Sequence, residues 1–227
     1  MRIPLPPIPL SAELAAEALE FRDGGREPVE ARDASTVILL RDGDDGPDVY
    51  LMERRSSMVF ASGMWVFPGG GVSEADGADG RDPIVAAALR ETEEETGVVL
   101  GADDIHLWDA WTTPIFEPRR YRTWFFVARL PKGQEARDIS TESRRVAWLS
   151  ARHIVEQTEL GEMALLPPTY LNLLDIARHD DVEDVFATAR EREVKMFTPS
   201  LEELEDGYTL SMPEHLRPLR MARIAQG

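Results

Sequence analysis

No cysteine occurs anywhere in the 227 residues. That excludes disulfides, thiolate metal sites and cysteine nucleophiles together. Long apolar runs are missing too. No stretch approaches the roughly 20 residues that cross a bilayer, and a chain with 43% hydrophobic and 30% charged residues has the balance of a folded, water-soluble protein. Near the start, Pro4, Pro6, Pro7 and Pro9 interrupt what a secretory signal would need as an apolar helix. No membrane association and a cytoplasmic location are therefore expected. Positive charge is scarce: 25 Lys and Arg against 42 Asp and Glu leave a formal net charge of −17. Such a chain repels the phosphates of long nucleic acids, and no basic stripe offsets this. A small phosphorylated substrate remains compatible if divalent cations stand between its phosphates and the carboxylates.

What is present reads as one domain with appendages. The expected division is an N-terminal arm and helix over 1–34, a central domain over 35–160, and C-terminal helices and a tail over 161–227. The Pro-rich start predicts an extended arm, and Ser11 to Arg22 a helix capped by Ser11 and ended by Gly24 and Gly25. Thr36–Arg41 and Val49–Arg54 read as a hairpin around the acidic turn 42–47, which is a poor calcium loop because Gly46 and Pro47 occupy ligand and glycine positions. After Trp65-Val66-Phe67 the chain turns at Pro68-Gly69-Gly70-Gly71 and continues as a polar loop to Arg81. Asp82-Pro83 starts a helix that runs to Thr96 and stops at Gly97. Strands are predicted at Ile105–Trp111, Tyr121–Leu130 and Arg145–Leu149, and helices at Ser150–Glu159, Leu171–Arg178 and Asp181–Glu193. The tail after Phe197, with Pro199, Pro213 and Pro218, reads as irregular and lying over the domain or a partner subunit.

The helix from Asp82 carries the chemistry. At about 100° per residue, Glu91, Glu94 and Glu95 share one arc while Val85, Leu89, Thr92 and Thr96 gather opposite. Like charges at these spacings cost an isolated helix roughly 0.2 to 0.5 kcal/mol per pair. A hard divalent cation removes that cost, because it prefers a few carboxylates, waters and phosphate oxygens as ligands. A bare acidic run is more often a solvated helix face. Here a glycine turn precedes the run, Arg90 adjoins its first carboxylate, and Gly97 follows at fixed spacing.

In that context Arg90-Glu91-Thr92-Glu93-Glu94-Glu95-Thr96-Gly97-Val98 resembles the second half of the signature box of the Nudix hydrolase superfamily, and Phe67-Pro68-Gly69-Gly70 its usual beginning. Asp82, eight positions before Arg90, stands where the family has Glu; Asp76 keeps the spacing from the glycine instead, and Asp82 is preferred. The loop between is about six residues longer than the family spacing, and Thr92 replaces an aliphatic residue. The resemblance implies an α/β/α sandwich with a mixed sheet and additional terminal helices. It further implies an enzyme that hydrolyses a diphosphate linkage with Mg²⁺ or Mn²⁺. Position by position, it implies that Glu91, Glu94 and Glu95 ligate the metal with the Gly70 carbonyl, and that Arg90 orients a glutamate. Glu91 or Glu95 would be the general base, with Glu142 the downstream alternative.

Segments 49–56, 111–114, 118–126 and 165–169 resemble the coenzyme A diphosphatase-like branch less specifically, making a coenzyme A-like, ADP-ribose-like or NADH-like nucleoside diphosphate derivative the expected substrate. Arg54, Arg119 and Arg120 have the guanidinium fork that grips phosphate, and Tyr121 or Trp65 could stack on a base. The four histidines have no metal spacing. The rival reading is a Nudix-fold sensor that binds a nucleotide without cleaving it, against which stand three retained glutamates. Isomerase chemistry on the same fold needs the cysteine this chain lacks. A homodimer is the assembly to test for.

Overall fold

The structure, a computed structural model, describes residues 4–55, 61–141 and 143–225. Its centre is a seven-stranded mixed sheet. Strand β1 (Arg32–Gly43) returns through a tight turn into β2 (Gly46–Arg54), pairing antiparallel from Leu40–Val49 to Gly43–Gly46. Short strands β3 (Trp65–Val66) and β4 (Gly69–Gly71) pair with β2 and β1 respectively. Helix α2 (Pro83–Thr96) follows, then β5 (Ile105–Thr112), β6 (Tyr121–Arg129) and β7 (Ser143–Ser150). The order is β3-β2-β1-β6-β5, with β7 also on β2. Among the described strands, β1 and β6 are the one parallel pair, with Arg32 beside Tyr121 and Leu40 beside Arg129.

The two-residue alternation of β1 and β2 explains the layers. Ile38, Leu40, Val49 and Leu51 point to one face, and Val37, Leu39, Tyr50 and Met52 to the other; all are buried. The first set packs on α3 (Ala151–Glu159), α4 (Pro167–Ile176) and α5 (Val182–Glu191) through Ile154, Leu171, Leu173, Val182 and Val185. The second set packs on α2 through Ala88 and Leu89. A sheet apolar on both faces must be covered on both, and the α/β/α sandwich results. Each fully buried Leu or Ile contributes roughly 1.5 to 3 kcal/mol to this packing.

Local chemistry sets most helix ends. Ser11 caps α1 (Ala12–Asp23) by accepting from the Leu14 amide, Ser150 caps α3, and Asp181 caps α5. Helix α4 begins about one turn before the predicted Leu171, because Pro167 and Pro168 suit a first turn, where amide donors have no intrahelical partner.

The C-terminal tail corrects the sequence reading. It is not irregular: β8 (Leu201–Leu204) and β9 (Gly207–Leu210) form a hairpin, and α6 (Arg217–Ile224) follows. Both chain ends are knitted together. The Leu10 amide donates to the Tyr208 carbonyl at 2.7 Å, and Arg220 Nε donates to the Pro6 carbonyl at 3.0 Å. Among the described residues no helix is long and apolar enough to cross a membrane.

Candidate active site

Helix α2 is fixed at both ends and along one side. Asp82 Oδ1 accepts from the Ile84 amide at 2.8 Å and the Val85 amide at 3.4 Å, and Gly97 ends the helix at φ 73°, a left-handed conformation suited to glycine. Thr92 is fully buried, and its hydroxyl donates to the Ala88 carbonyl at 2.7 Å. The polar residue at an apolar position is thereby satisfied within its own helix.

The three glutamates divide in exposure. Glu95 is buried, and its Oε2 accepts from the Gly69 amide at 2.8 Å. Glu91 is partly buried beside β4, so close to Gly70 that a β-carbon built there would stand 2.3 Å from Glu91 Oε1. Glu94 is exposed and reaches Arg90 Nη1 at 3.1 Å; the same nitrogen donates to Glu91 Oε1 at 2.7 Å. Arg90 thus holds two carboxylates by one nitrogen. Its other nitrogens hold a third: Nε and Nη2 donate to Asp76 Oδ1 and Oδ2 at 2.9 and 3.0 Å, and Nη2 also to the Gly71 carbonyl. The Asp76 carboxylate, which also accepts from the amide and hydroxyl of Ser73, lies well below the usual carboxylate range because the Arg90 guanidinium is hydrogen-bonded to it. The same bond raises Arg90 further.

This geometry reverses one preference. Asp82, taken from its spacing to Arg90 as the acid of the box, is the helix N-cap; Asp76 is the acid that pairs with Arg90. The longer loop folds back and carries Asp76 to the guanidinium, so spacing along the helix did not decide the pair.

Glu91, Glu95 and Gly70 line a cavity of about 920 Å³ together with Arg54, Arg119 and Tyr121. Phe67, Trp111, Phe125 and Leu166 supply apolar walls, and Pro6, Leu210 and Ser211 from the two ends of the chain also line it. Arg120 is placed otherwise. Its Nε and Nη1 donate to the carbonyls of Thr113 and Val29, and it does not line the cavity. Trp65 is buried under the Arg145 guanidinium, 4.8 Å from its ring, and is also no part of the lining. Glu142 lies outside the described residues. Sequence reasoning missed Glu117, a lining carboxylate in the loop between β5 and β6; no motif marks it.

Hard divalent cations take oxygen donors, and Glu91, Glu95 and the glycine backbone of β4 are donors of that type bordering one cavity. Among the described residues, no three His, Asp or Glu side chains are gathered closely enough to enclose an ion. The donor set fits an open site completed by waters and phosphate oxygens rather than a protein cage.

A mixed sheet between helical layers is the architecture of Nudix hydrolase structures. The NUDIX hydrolase from Alicyclobacillus acidocaldarius superposes with a TM-score of 0.65 at 22% identity, covering 70% of this chain and 97% of that one. A MutT protein from Bacillus halodurans gives 0.50 at 18% identity, covering 80% and 99%. At these identities the likeness concerns the fold. Residues 31–171, more than half of the chain, match the family model of the NUDIX domain, and the chain belongs to the Nudix family. A Caenorhabditis elegans protein described as "Putative nudix hydrolase 7" is 27% identical over 169 residues, covering 59% of this chain and 57% of that protein. The chain thus spans little more than half the length of that curated relative. Nudix hydrolases generally use divalent metal ions.

Proposed function

We propose that this protein hydrolyses, with Mg²⁺ or Mn²⁺, a diphosphate linkage in a nucleoside diphosphate derivative of the coenzyme A-like, ADP-ribose-like or NADH-like kind. The observation that supports this most is that Glu91 and Glu95 border the same cavity as Arg54 and Arg119, so anionic and cationic groups face one ligand space.

Glu91, Glu94, Glu95 and the Gly70 carbonyl are the assigned metal ligands. The bound cation would neutralise diphosphate oxygens and acidify a water. Arg54 and Arg119 grip the phosphates, a task suited to the guanidinium fork. Tyr121 packs against the remainder of the substrate. Glu91 or Glu95 accepts the proton of the attacking water, with Glu142 as the downstream alternative; a positioned base contributes about 10²- to 10⁴-fold. Arg90 holds the carboxylates Glu91 and Glu94 apart from one another's repulsion and in fixed orientation.

The test is a hydrolysis screen of the purified chain with Mg²⁺ or Mn²⁺ over coenzyme A, ADP-ribose, NADH and nucleoside triphosphates, with Glu94→Gln as control. Metal-dependent cleavage lost in the variant supports the assignment. Tight nucleotide binding without turnover would make the protein a Nudix-fold sensor instead.

A further inference from the structure

One carboxylate in the cavity has no part in the scheme above. Glu117 stands in loop 113–120 and lines the same space as Glu91, Glu95 and Arg54. The loop is held firmly. At its base the Tyr121 amide donates to Thr113 Oγ1 at 3.1 Å, and Arg120 ties Thr113 to Val29 through their carbonyls. At its tip the Glu117 amide donates to the Pro114 carbonyl at 3.2 Å, and Phe116 packs on Leu10, Leu14 and Leu210 from the two chain ends. The Glu117 side chain is partly buried and forms no hydrogen bond or ion pair among the described residues. Burial, with the Glu17 carboxylate second, pushes its carboxyl above the usual range. An acceptor at a cavity wall, on a loop tied down at its base and tip, is suited to donors on a ligand.

The ligand chemistry follows from the rest of the cavity. On that scheme Arg54 directly, and the α2 glutamates through the cation they would hold, take up the diphosphate, leaving the nucleoside to the remaining walls. An ionised carboxylate is an acceptor only, with two oxygens. The vicinal hydroxyls of a ribose offer two donors, and acidic side chains serve this role where dinucleotides bind other folds. A ribose carrying a phosphate in place of a hydroxyl meets the same carboxylate as a like charge, which disfavours it.

We infer that Glu117 is a specificity-determining residue that accepts hydrogen bonds from the free vicinal hydroxyls of the substrate ribose and discriminates against a ribose phosphorylated there. This rests on the diphosphate-binding reading of the cavity, though not on turnover. It favours ADP-ribose, whose hydroxyls are free, over coenzyme A, whose ribose bears a phosphate.

The experiment compares KM and kcat of the full chain for ADP-ribose and coenzyme A in the wild type and Glu117→Gln, with calorimetric Kd replacing KM wherever there is no turnover. Removing the charge should raise KM for ADP-ribose about tenfold, since charge-assisted hydrogen bonds are roughly twice as strong as neutral ones. KM for coenzyme A should fall or hold, and kcat should stay within about twofold. A KM ratio between the two ligands that does not move overturns the inference while leaving the hydrolase reading intact. Loss of kcat at unchanged KM also overturns it, and makes Glu117 a participant in chemistry. A wild type that binds both ligands without cleaving either, with a Kd ratio that shifts in the variant, sustains the inference and removes the hydrolase reading. A wild type that binds neither overturns both.

Discussion

Arg90 and Asp76 form a two-point ion pair at 2.9 and 3.0 Å although fourteen positions separate them, and the same guanidinium reaches Glu91 and Glu94 on its own helix. The pair joins the long loop after β4 to the carboxylates of α2. Asp76 does not line the cavity; its carboxylate fixes the Arg90 guanidinium.

Asp76→Asn should therefore weaken the site without dismantling the fold. Residues that orient metal ligands typically cost 10- to 100-fold in metal affinity or activity when changed, and a loss of that size is expected here. The informative readout is the Mg²⁺ concentration giving half-maximal rate, which should rise. Asp82→Ala should behave in the opposite way, costing about 1 kcal/mol of stability through the lost cap while kcat and metal requirement persist. If Asp82→Ala rather than Asp76→Asn shifts the metal requirement, the assignment of the pairing acid is wrong.

Within the glutamate run the same logic separates neighbours. Glu91→Gln and Glu95→Gln should each lower kcat by about 10²-fold or more, the range expected for a lost base. Chelation with EDTA should abolish the wild-type rate reversibly. Glu93, exposed, outside the cavity and assigned no ligand role, provides the control, although it shares a second depression with Glu94: Glu93→Gln should leave kcat within about twofold. Equal losses at Glu93 and Glu91 would indicate a general effect of helix charge rather than a site.

Much of this could be read before any coordinates. Helix α2 was legible because its punctuation is local: Asp82 and Pro83 start it, Gly97 stops it, and Thr92 hides a hydroxyl by bonding to the preceding turn. Strands β1 and β2 were legible from their apolar runs, though their alternating burial reaches two different cores that the sequence does not distinguish. The Asp76–Arg90 pair was not legible: spacing along the helix favours Asp82, which is the N-cap, because an inserted loop frees a contact from spacing; the retained distance from Gly70 to Asp76 was the signal for the acid that does pair. The tail hairpin turns at Glu205-Asp206, with Gly207 already opening β9 opposite Leu204, so its sequence signal is an acidic pair followed by a single glycine. The nearby prolines outweighed it. That Arg120 braces a loop while Arg119 lines the cavity depends on the tertiary course of residues 113–120, which no neighbouring residue encodes.

Asp109 carries a pH dependence of stability. It is buried in β5, accepting from the Ala110 amide and Trp111 Nε1, and burial pushes its carboxyl up to about 6. A carboxyl raised in the folded state favours folding fully below its unfolded value near 4, and that contribution is lost as pH rises through about 6. The loss is on the order of 3 kcal/mol between pH 4 and pH 7. Asp109→Asn, neutral throughout, should match the wild type most closely near pH 4 and gain relative stability as pH rises. Urea unfolding of both proteins at several pH values measures this. A constant difference across the range would show that Asp109 ionises freely in the native state.

The paired glycines of β4 distinguish a requirement of the fold from one of the site. A β-carbon at Gly69 would stand 2.5 Å from the Ser35 carbonyl oxygen and 2.7 Å from Thr36 Cα, both main-chain atoms of the neighbouring strand. Those atoms cannot withdraw without disturbing the sheet, so Gly69→Ala should destabilise the protein by about 1 to 3 kcal/mol, the usual cost of overpacking. The three atoms nearest to a β-carbon at Gly70 all belong to the Glu91 carboxylate. That side chain can rotate away at little cost to the fold, but in doing so it leaves the position assigned to a metal ligand. Gly70→Ala should therefore keep a melting temperature close to that of the wild type while losing at least tenfold in kcat, since small misplacements of a catalytic group are costly. Thermal unfolding and steady-state rates on the two alanine variants read the two effects separately. Were Gly70→Ala to retain full metal-dependent activity, Glu91 would not be needed in its present position against β4.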